Sequence, residues 1–244
     1  LCEVAEDDTD GVPLLLDQRV VVEGIAHVAN GIWNPGINQF EISDGECCVS
    51  IFGDTLVAVQ EGDLVRVRGT VDLYNGLTEI TSPDLEITVL SGGHPVHGPG
   101  VVTTGELAAN GEVYEACLIS IQCAAVIDTI WPAEGENANL TIDDGTGAVT
   151  LRIDKDTNID GSPRPEGLIN ITGVALQFDS SSPYSAGYQI LPRSLADLEP
   201  CVVEPTGACC MPDGACTVTS ETDCSEPNIW MGQDGFDYVF QTDY

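Results

Sequence analysis

One hexapeptide has the residue types and spacing of a cation site. Asp156, Asn158 and Asp160 stand at alternate positions before Gly161, which is the D-x-N-x-D-G opening of a calcium loop. Oxygen-bearing side chains at this spacing can converge on one ion, and the glycine allows a sharp turn. The acidic residue that should close the loop at its twelfth position is absent, because Gly167 stands there. Two interpretations follow, a structural calcium site and an acidic turn between two strands.

The chain offers little for catalysis. It has three histidines, and two of them, His94 and His97, lie in a Gly/Pro-rich stretch at 92–100. This leaves no Ser-His-Asp or Cys-His set, and no glycine-rich phosphate loop precedes a predicted helix. Asp143 and Asp144 suit a hairpin turn as well as a glycosidase pair. The sequence therefore predicts a protein that is not an enzyme and that uses no cofactor apart from the calcium considered above.

Ten cysteines indicate an oxidising compartment, because no C-x-x-C pair points to zinc or to a redox site. We expect disulfides and an extracellular or cell-surface location. Cys117 and Cys123 cannot bridge to each other on one continuous strand, since each residue advances it by about 3.3 Å. Their partners stay open among Cys2, the Cys47–Cys48 pair and Cys201. The full set of candidates is Cys2, Cys47, Cys48, Cys117, Cys123, Cys201, Cys209, Cys210, Cys216 and Cys224.

Two glycosylation sequons begin at Asn139 and Asn170. In the predicted strands Leu140 and Ile171 point inward, so both asparagines point outward and are open to glycosylation. Glycans are thus a predicted modification, and the sequence does not say which asparagine carries one.

The elements that position these residues come from one strand pattern written twice. Phe40–Gly45 and Leu140–Gly145, 100 residues apart (140 minus 40), each alternate apolar and polar residues up to an Asp-Gly turn. This is the signature of a β-hairpin with one buried face. Around each hairpin we predict five short strands, with a glycine in the first and fourth, which favours a small closed barrel.

Strand registers follow from the same alternation. Val65, Val67, Gly69 and Val71 are predicted to face inward on the fourth strand of the first copy. In the second copy, the first strand should bury one continuous face. That face comprises Cys117, Ile119, Ile121, Cys123 and Ala125.

The repeated pattern resembles the OB-fold-like domains of secreted and surface-anchored bacterial proteins. The resemblance covers residues 12–199 and includes Glu61–Gly69 and its weaker copy Glu166–Gly173. Some members of that group sit beside extracellular nucleases, and others are binding or structural modules. It implies an all-β fold of two tandem five-stranded OB-like barrels followed by a small disulfide-rich C-terminal segment. The predicted divisions are an acidic arm at 1–11, barrels at 12–91 and 101–199, a linker at 92–100 and a tail at 200–244.

Charge separates this chain from the nucleic-acid-binding members. Forty acidic residues against seven basic ones give a net charge of −33, and phosphate or anionic-membrane binding needs clustered Lys and Arg. Positions that would carry an aromatic stacking platform in a basic groove are hydroxyl residues. They are Ser43, Ser50, Thr141 and Thr150. We therefore predict no nucleic-acid partner, and no apolar run reaches the roughly 18 residues of a membrane span.

After Pro200 the composition changes. Cys209–Cys216, with Gly207 and Ala208 before it, resembles a short GACC-x-PDG-x-C module repeated in secreted proteins of some environmental bacteria. The module should depend on disulfides for order, since it is too small to bury a core. The C-terminus alternates aromatic and polar residues like a strand, with Phe236, Tyr238 and Phe240 on one face. It either folds back on its own chain or adds to a neighbouring molecule's sheet.

These observations predict a non-enzymatic extracellular structural protein. The favoured form is a bacterial surface fibre or matrix that assembles as a homopolymer through its terminal segments. The alternative is a secreted binding module that recognises carbohydrate or protein through exposed loop residues, including Trp33 and Trp131.

Overall fold

The computed structural model describes residues 1–54, 56–202, 206–211, 216–220, 224 and 229–231. The chain divides into two compact units, Leu1–Cys201 and Val202–Tyr244. None of the described helices is long and apolar enough to cross a membrane.

The first half of the larger unit is a closed five-stranded barrel. Its strands, β1 to β5, run in the order β1-β2-β3-β5-β4, with β3 and β5 parallel and the other pairs antiparallel. Val65, Val67 and Val71 are fully buried, as their alternation predicts. The strands are β1 (Arg19–Ala26), β2 (Asn38–Ser43), β3 (Cys48–Gly53), β4 (Leu64–Tyr74) and β5 (Leu77–Ser91).

The second half repeats this connectivity with additions. Its sheet runs β12-β10-β11-β9-β8-β7-β6, and a further pairing of β10 with β7 closes the ring β7-β8-β9-β11-β10. This confirms the prediction of a doubled barrel. The strands are β6 (Gly100–Val101), β7 (Leu118–Val126), β8 (Ala138–Asp143), β9 (Val149–Ile153), β10 (Leu168–Gln177), β11 (Tyr188–Leu191) and β12 (Leu198–Pro200).

Short helices surround the second barrel. Helix α1 (Thr104–Asn110) begins at Thr103, whose Oγ1 accepts the N–H of Glu106 at 3.1 Å, and its Leu107 is fully buried. A 3₁₀ helix follows at Gly111–Tyr114, and another lies at Leu195–Asp197. The strand pattern of the sequence did not predict these helices, because each is too short to show a helical period.

The predicted inward face of β7 is wrong after Ile121. A bulge at Cys123, which has a φ of 52°, moves Ala124 and Val126 into the core. Asn170 holds the bulge, since its Oδ1 accepts the N–H of Cys123 at 3.0 Å. The half-buried Cys123 is thereby free to bridge to Cys201.

All ten cysteines are paired. The larger unit contains Cys2–Cys47, Cys48–Cys117 and Cys123–Cys201, and the smaller contains Cys209–Cys224 and Cys210–Cys216. Five disulfides are compatible with a secreted or extracellular protein.

The smaller unit contains a three-stranded sheet in the order β14-β13-β15. These strands are β13 (Thr206–Cys210), β14 (Cys216–Ser220) and β15 (Ile229–Met231). The predicted assembly strand with Phe236, Tyr238 and Phe240 lies outside the described residues.

Candidate functional site

A third hydrophobic core lies between the two barrels, separate from the core inside each barrel. Leu77 of the first barrel and Leu176 of the second both belong to it. At its centre Trp33 is 2% exposed, and its Nε1 donates to the carbonyl of Pro192 at 3.3 Å. The expectation of an exposed Trp33 on a recognition loop is therefore wrong. Trp131 is half-buried against the second barrel, and its Nε1 donates to Ser162 Oγ at 3.3 Å.

Polar contacts reinforce this inter-barrel core. The Cys48–Cys117 disulfide joins the barrels covalently. Burial lowers the pKa of His27 to about 4, so its ring is neutral near pH 7 and Nε2 donates to the carbonyl of Ala116 at 2.8 Å. Arg193 reaches across from the second barrel to the carbonyl of His27 at 3.0 Å and to Glu61 at 3.4 Å.

Beside this contact lies an open cleft of about 470 Å³, lined by both barrels. Its lining combines aromatic rings with side-chain amides. The rings are those of Trp33, Phe52, Tyr74 and Phe178, and the amides are those of Asn34, Gln39, Asn139, Gln177 and Gln189. Aromatic faces offer stacking surfaces and amides offer both donors and acceptors, so the lining suits a ligand that presents apolar faces and hydroxyl groups.

The turn after β4 fixes one wall of the cleft. Asn75 and Gly76 both have positive φ, and a Cβ on Gly76 would lie 2.4 Å from Gln177 Oε1. This close approach lets the carbonyl of Asn75 accept the N–H of Asp179 at 2.6 Å. The rings of Tyr74 and Phe178 meet edge to face, with their centroids 6.4 Å apart.

Gln177 carries an unused acceptor at the cleft. The residue is 2% exposed, and its Nε2 donates to the carbonyl of Ala186 at 2.9 Å. Its Oε1 is buried and accepts no hydrogen bond within the part of the chain that the structure describes. A buried acceptor without a partner costs about 1–3 kcal/mol, and this one lies against Gly76.

Asn139 and Asn170 differ in accessibility. Asn139 is exposed at the cleft, where its Oδ1 accepts from Arg152 at 3.1 Å. Asn170 is half-buried and holds the Cys123 bulge. Glycosylation at either position stays a prediction, and a glycan on Asn139 would stand at the cleft.

The side chains of the three predicted calcium ligands bond to other groups of the protein. Asp156 Oδ2 lies 2.6 Å from Lys155 Nζ, and Asn158 Oδ1 accepts the N–H of Leu195 at 2.7 Å. Asp160 is buried and accepts the N–H of Gly135 at 2.5 Å. No group of three or more His, Cys, Asp or Glu side chains among the described residues is arranged to hold a metal ion. Calcium binding in this loop stays a prediction.

Sequence reasoning missed a group of carboxyls beside the contact between the barrels. We call Asp7, Glu41, Glu79, Glu112 and Glu115 the acidic cluster. Glu115 Oε1 accepts the N–H of Thr78 at 2.9 Å, and Glu112 Oε2 accepts from the hydroxyl of Tyr188 at 2.9 Å. Glu41 is 1% exposed and meets Ser50 Oγ at 3.4 Å.

Burial governs the pKa values of these carboxyls. It raises the pKa of Glu41 to about 8, helped by the charge of Glu79, and the pKa of Glu79 to about 8, helped by Asp72. Burial also raises the pKa of Glu112 to about 8, with Asp7 adding to the effect. The pKa of Glu115 lies well above its ordinary value, chiefly through burial and then through Glu112. Nothing in the sequence pattern separates Glu41 and Glu79 from solvated acids on an outer strand face.

Comparison with known proteins gives limited similarity. No family model matches the chain. It is similar to Endonuclease YhcR of Bacillus subtilis (strain 168), with 26% identity over 190 residues that cover 75% of this chain and 15% of that protein. The chain therefore spans a small part of that relative.

Two solved structures with some similarity contain DNA. One is a murine DNA-binding protein bound with double-stranded DNA, with a TM-score of 0.34 and 10% identity over 70% of this chain and 90% of that one. The other is the Ifi202 HINa domain in complex with a 20-base-pair double-stranded DNA, with a TM-score of 0.29 and 10% identity over 69% of this chain and 91% of that one.

The prediction that nucleic acid is excluded as a partner is therefore wrong as an exclusion, since matched chains were solved on DNA. Its physical weakness is that a net charge of −33 sums over the whole chain, whereas binding depends on the local surface. At these TM-scores the matches assign no DNA site to this chain.

Proposed function

We propose that the chain is a secreted, non-catalytic binding module whose inter-barrel cleft holds a hydroxyl-rich ligand such as an oligosaccharide. The observation that carries the proposal is the cleft lining, which brings aromatic rings and side-chain amides together. A sugar ring presents C–H faces to an aromatic side chain and O–H groups to amides, so one ligand class satisfies both.

Polar chemistry in the cleft supports the same ligand class. The amides of Asn34, Gln39, Asn139 and Gln189 offer donors and acceptors along the lining. Arg152 is the one basic side chain in the described lining, and it already bonds to Asn139. A neutral ligand requires no further charge from the protein, whereas a strongly anionic one would need more cations.

The similarity to an endonuclease supports the proposal that this chain is a module, and it favours a second candidate ligand for the cleft. The match covers 15% of that protein, which fits a part carried beside a catalytic region. In this chain the same aromatic rings could stack on the bases of a single-stranded nucleic acid. Nucleic acid is therefore the second candidate for the cleft.

The surface fibre expected from the sequence is not part of this proposal. That expectation rested on the number of cysteines, the two outward sequons, the lack of catalytic groups and the terminal extensions, and its assembly strand at 236–244 lies outside the described residues.

A glycan array and a panel of single-stranded oligonucleotides test the proposal, with calorimetry on any ligand that binds. We expect a saturable oligosaccharide ligand, and Phe178→Ala should weaken its binding by about tenfold or more, because it removes an exposed aromatic face from the cleft. Ile130→Ala is the control, because Ile130 is 80% exposed and lies outside the cleft lining.

Oligonucleotide binding that Phe178→Ala also weakens would replace the sugar by the second candidate. Binding that is insensitive to both Phe178→Ala and Phe52→Ala would place the ligand outside the cleft. Turnover of the bound ligand would contradict a non-catalytic role.

A further inference from the structure

Four segments of the chain meet at the acidic cluster, since Glu41 comes from β2 of the first barrel. Asp7 comes from the N-terminal arm, Thr78 and Glu79 come from β5 of the first barrel, and Glu112 and Glu115 come from the region of the 3₁₀ helix before β7. Thr78 contacts two of these carboxyls, since its N–H donates to Glu115 and its Oγ1 lies 3.5 Å from Asp7 Oδ1. The cluster is thus part of the contact between the two barrels.

The carboxyls in this contact are incompletely paired. Asp7 Oδ2, Glu41 Oε2 and Glu115 Oε2 are buried and find no hydrogen-bond partner in the described part of the molecule. The neutral groups that face the cluster are few. They are Thr78, Ser50 and the hydroxyl of Tyr188. Asp72 adds a further acid beside Glu79.

Among the described residues, no Lys or Arg bonds to the acidic cluster, because each is engaged elsewhere. Arg19, Arg66, Arg68 and Arg193 pair with Asp84, Glu23, Glu86 and Asp197 respectively. Lys155 pairs with Asp156, Arg152 bonds to Asn139, and Arg164 donates to backbone carbonyls. His27 bonds to Ala116, and His94 bonds to Ser91. Ionised carboxyls in the cluster would therefore repel one another without compensation from these side chains.

We propose that the acidic cluster is a proton-operated latch that holds the two barrels together when its carboxyls are protonated and loosens the contact as they ionise. A protonated carboxyl can donate to a neighbouring carboxyl, and Asp7 is the neighbour of Glu112. When both are ionised, the pair is two negative charges close together and partly removed from water, which is unfavourable. Glu79 also lines the cleft, so the latch and the cleft adjoin, but the latch does not rest on the ligand proposed above.

The raised pKa values give the sign and the pH window. A carboxyl whose pKa is about 8 in the folded protein and 4.5 when unfolded binds its proton more tightly in the folded state. Its contribution to stability is complete below pH 4.5 and is lost as pH rises towards 8. His27 has the opposite sign, since its pKa falls from 6.5 to about 4 on folding. The effect of His27 on the pH dependence of stability is therefore opposite to that of the four glutamates in the acidic cluster.

Thermal unfolding and hydrogen exchange test the latch. The full-length protein is melted between about pH 5 and about pH 8.5, a range that brackets the titration of the cluster. Glu115→Gln and Glu112→Gln keep the shape of the side chain and cannot ionise, so each should raise the melting temperature by several degrees at the alkaline end and change it little at the acidic end. Glu46→Gln is the matched control, because Glu46 is exposed and also loses one negative charge.

Hydrogen exchange locates the effect without any variant. The amides of Thr78 and Asp179 donate across the contact between the barrels, and the amide of Val67 lies within a strand of the first barrel. After correction for intrinsic exchange, protection at Thr78 should fall at least tenfold more than protection at Val67 between the two pH values.

An equal loss of protection at the amides of Thr78, Asp179 and Val67 would overturn the latch. It would also be overturned if the melting temperatures of both Gln variants equalled that of Glu46→Gln at every pH. A large rise in melting temperature with calcium at alkaline pH, abolished by Glu115→Gln, would also overturn proton control. That result would make the cluster a cation site.

Discussion

At the residue scale, burial decides what each polar or aromatic side chain can do. Trp33 and Phe178 look alike in a sequence, as large apolar residues near loops. The structure buries Trp33 between the barrels and leaves Phe178 more than half exposed at the cleft. The first is therefore a packing residue, and the second is free to meet a ligand.

Truncation of Trp33 tests that division. Trp33→Ala should lower the free energy of unfolding by about 3–5 kcal/mol, the usual cost of removing a buried tryptophan. Trp131→Ala should cost less, because Trp131 is only half-buried. Urea unfolding followed by circular dichroism measures both. A fully stable Trp33→Ala protein that had lost ligand binding would restore Trp33 to the recognition surface.

The acidic cluster shows what could not be predicted at this scale. Glu41 and Glu79 occupy outward positions on their strands. Their neighbours in the sequence, Phe40 and Ile80, fill the barrel core as expected. Alternation identifies the inner face of a strand, and it does not say whether the outer face meets water or another barrel. Asp7 is equally hidden from sequence reasoning, since its burial depends on an arm folding back onto Thr78.

At the element scale, sequence prediction succeeded where a pattern repeats. The two hairpins and the fourth strands were predicted because period-two alternation and Asp-Gly turns are local signals. The Cys123 bulge was missed, because a one-residue insertion is stabilised by a distant amide, that of Asn170. Helix α1 was missed because its fixing contacts come from the second hairpin turn, 40 residues along the chain from Thr104.

That turn supplies the element-scale prediction. Asp144 accepts the N–H of Thr104 at 3.0 Å and its hydroxyl at 2.7 Å, so it anchors the first turn of α1 to the hairpin. Asp144→Ala should lower stability by about 1–3 kcal/mol, as removal of a charged capping acceptor does. Asp54→Ala is the control, because Asp54 is exposed.

Chemical denaturation of both variants, with hydrogen exchange at Leu107, is the measurement. The N–H of Leu107 bonds to the carbonyl of Thr103 and so reports on the start of α1. Unchanged protection there in Asp144→Ala would show that the helix is held by its buried side chains and not by the hairpin turn.

At the scale of the whole molecule, two repeated barrels became one unit through contacts that neither copy needs alone. The inter-barrel core, the Cys48–Cys117 bond and Arg193 lie at positions that the repeat does not share. A repeat signal in a sequence therefore predicts the parts, whereas the cleft and the acidic cluster depend on how the parts meet.

The tether between the barrels gives the last prediction. Cys48 and Cys117 are 69 residues apart in the chain, and a disulfide closing a loop of this size stabilises by about 2–5 kcal/mol. Replacing both by serine should lower stability by that amount and should make the contact more sensitive to alkaline pH, because ionised carboxyls would then act against packing alone. Protection of the Thr78 and Asp179 amides is the measurement.

The double replacement of Cys123 and Cys201 is the control, since that bond ties β7 to the end of its own barrel. If the control loses protection at Thr78 as steeply as the tether variant does, the barrels unfold as one cooperative body and the contact between them does not open separately.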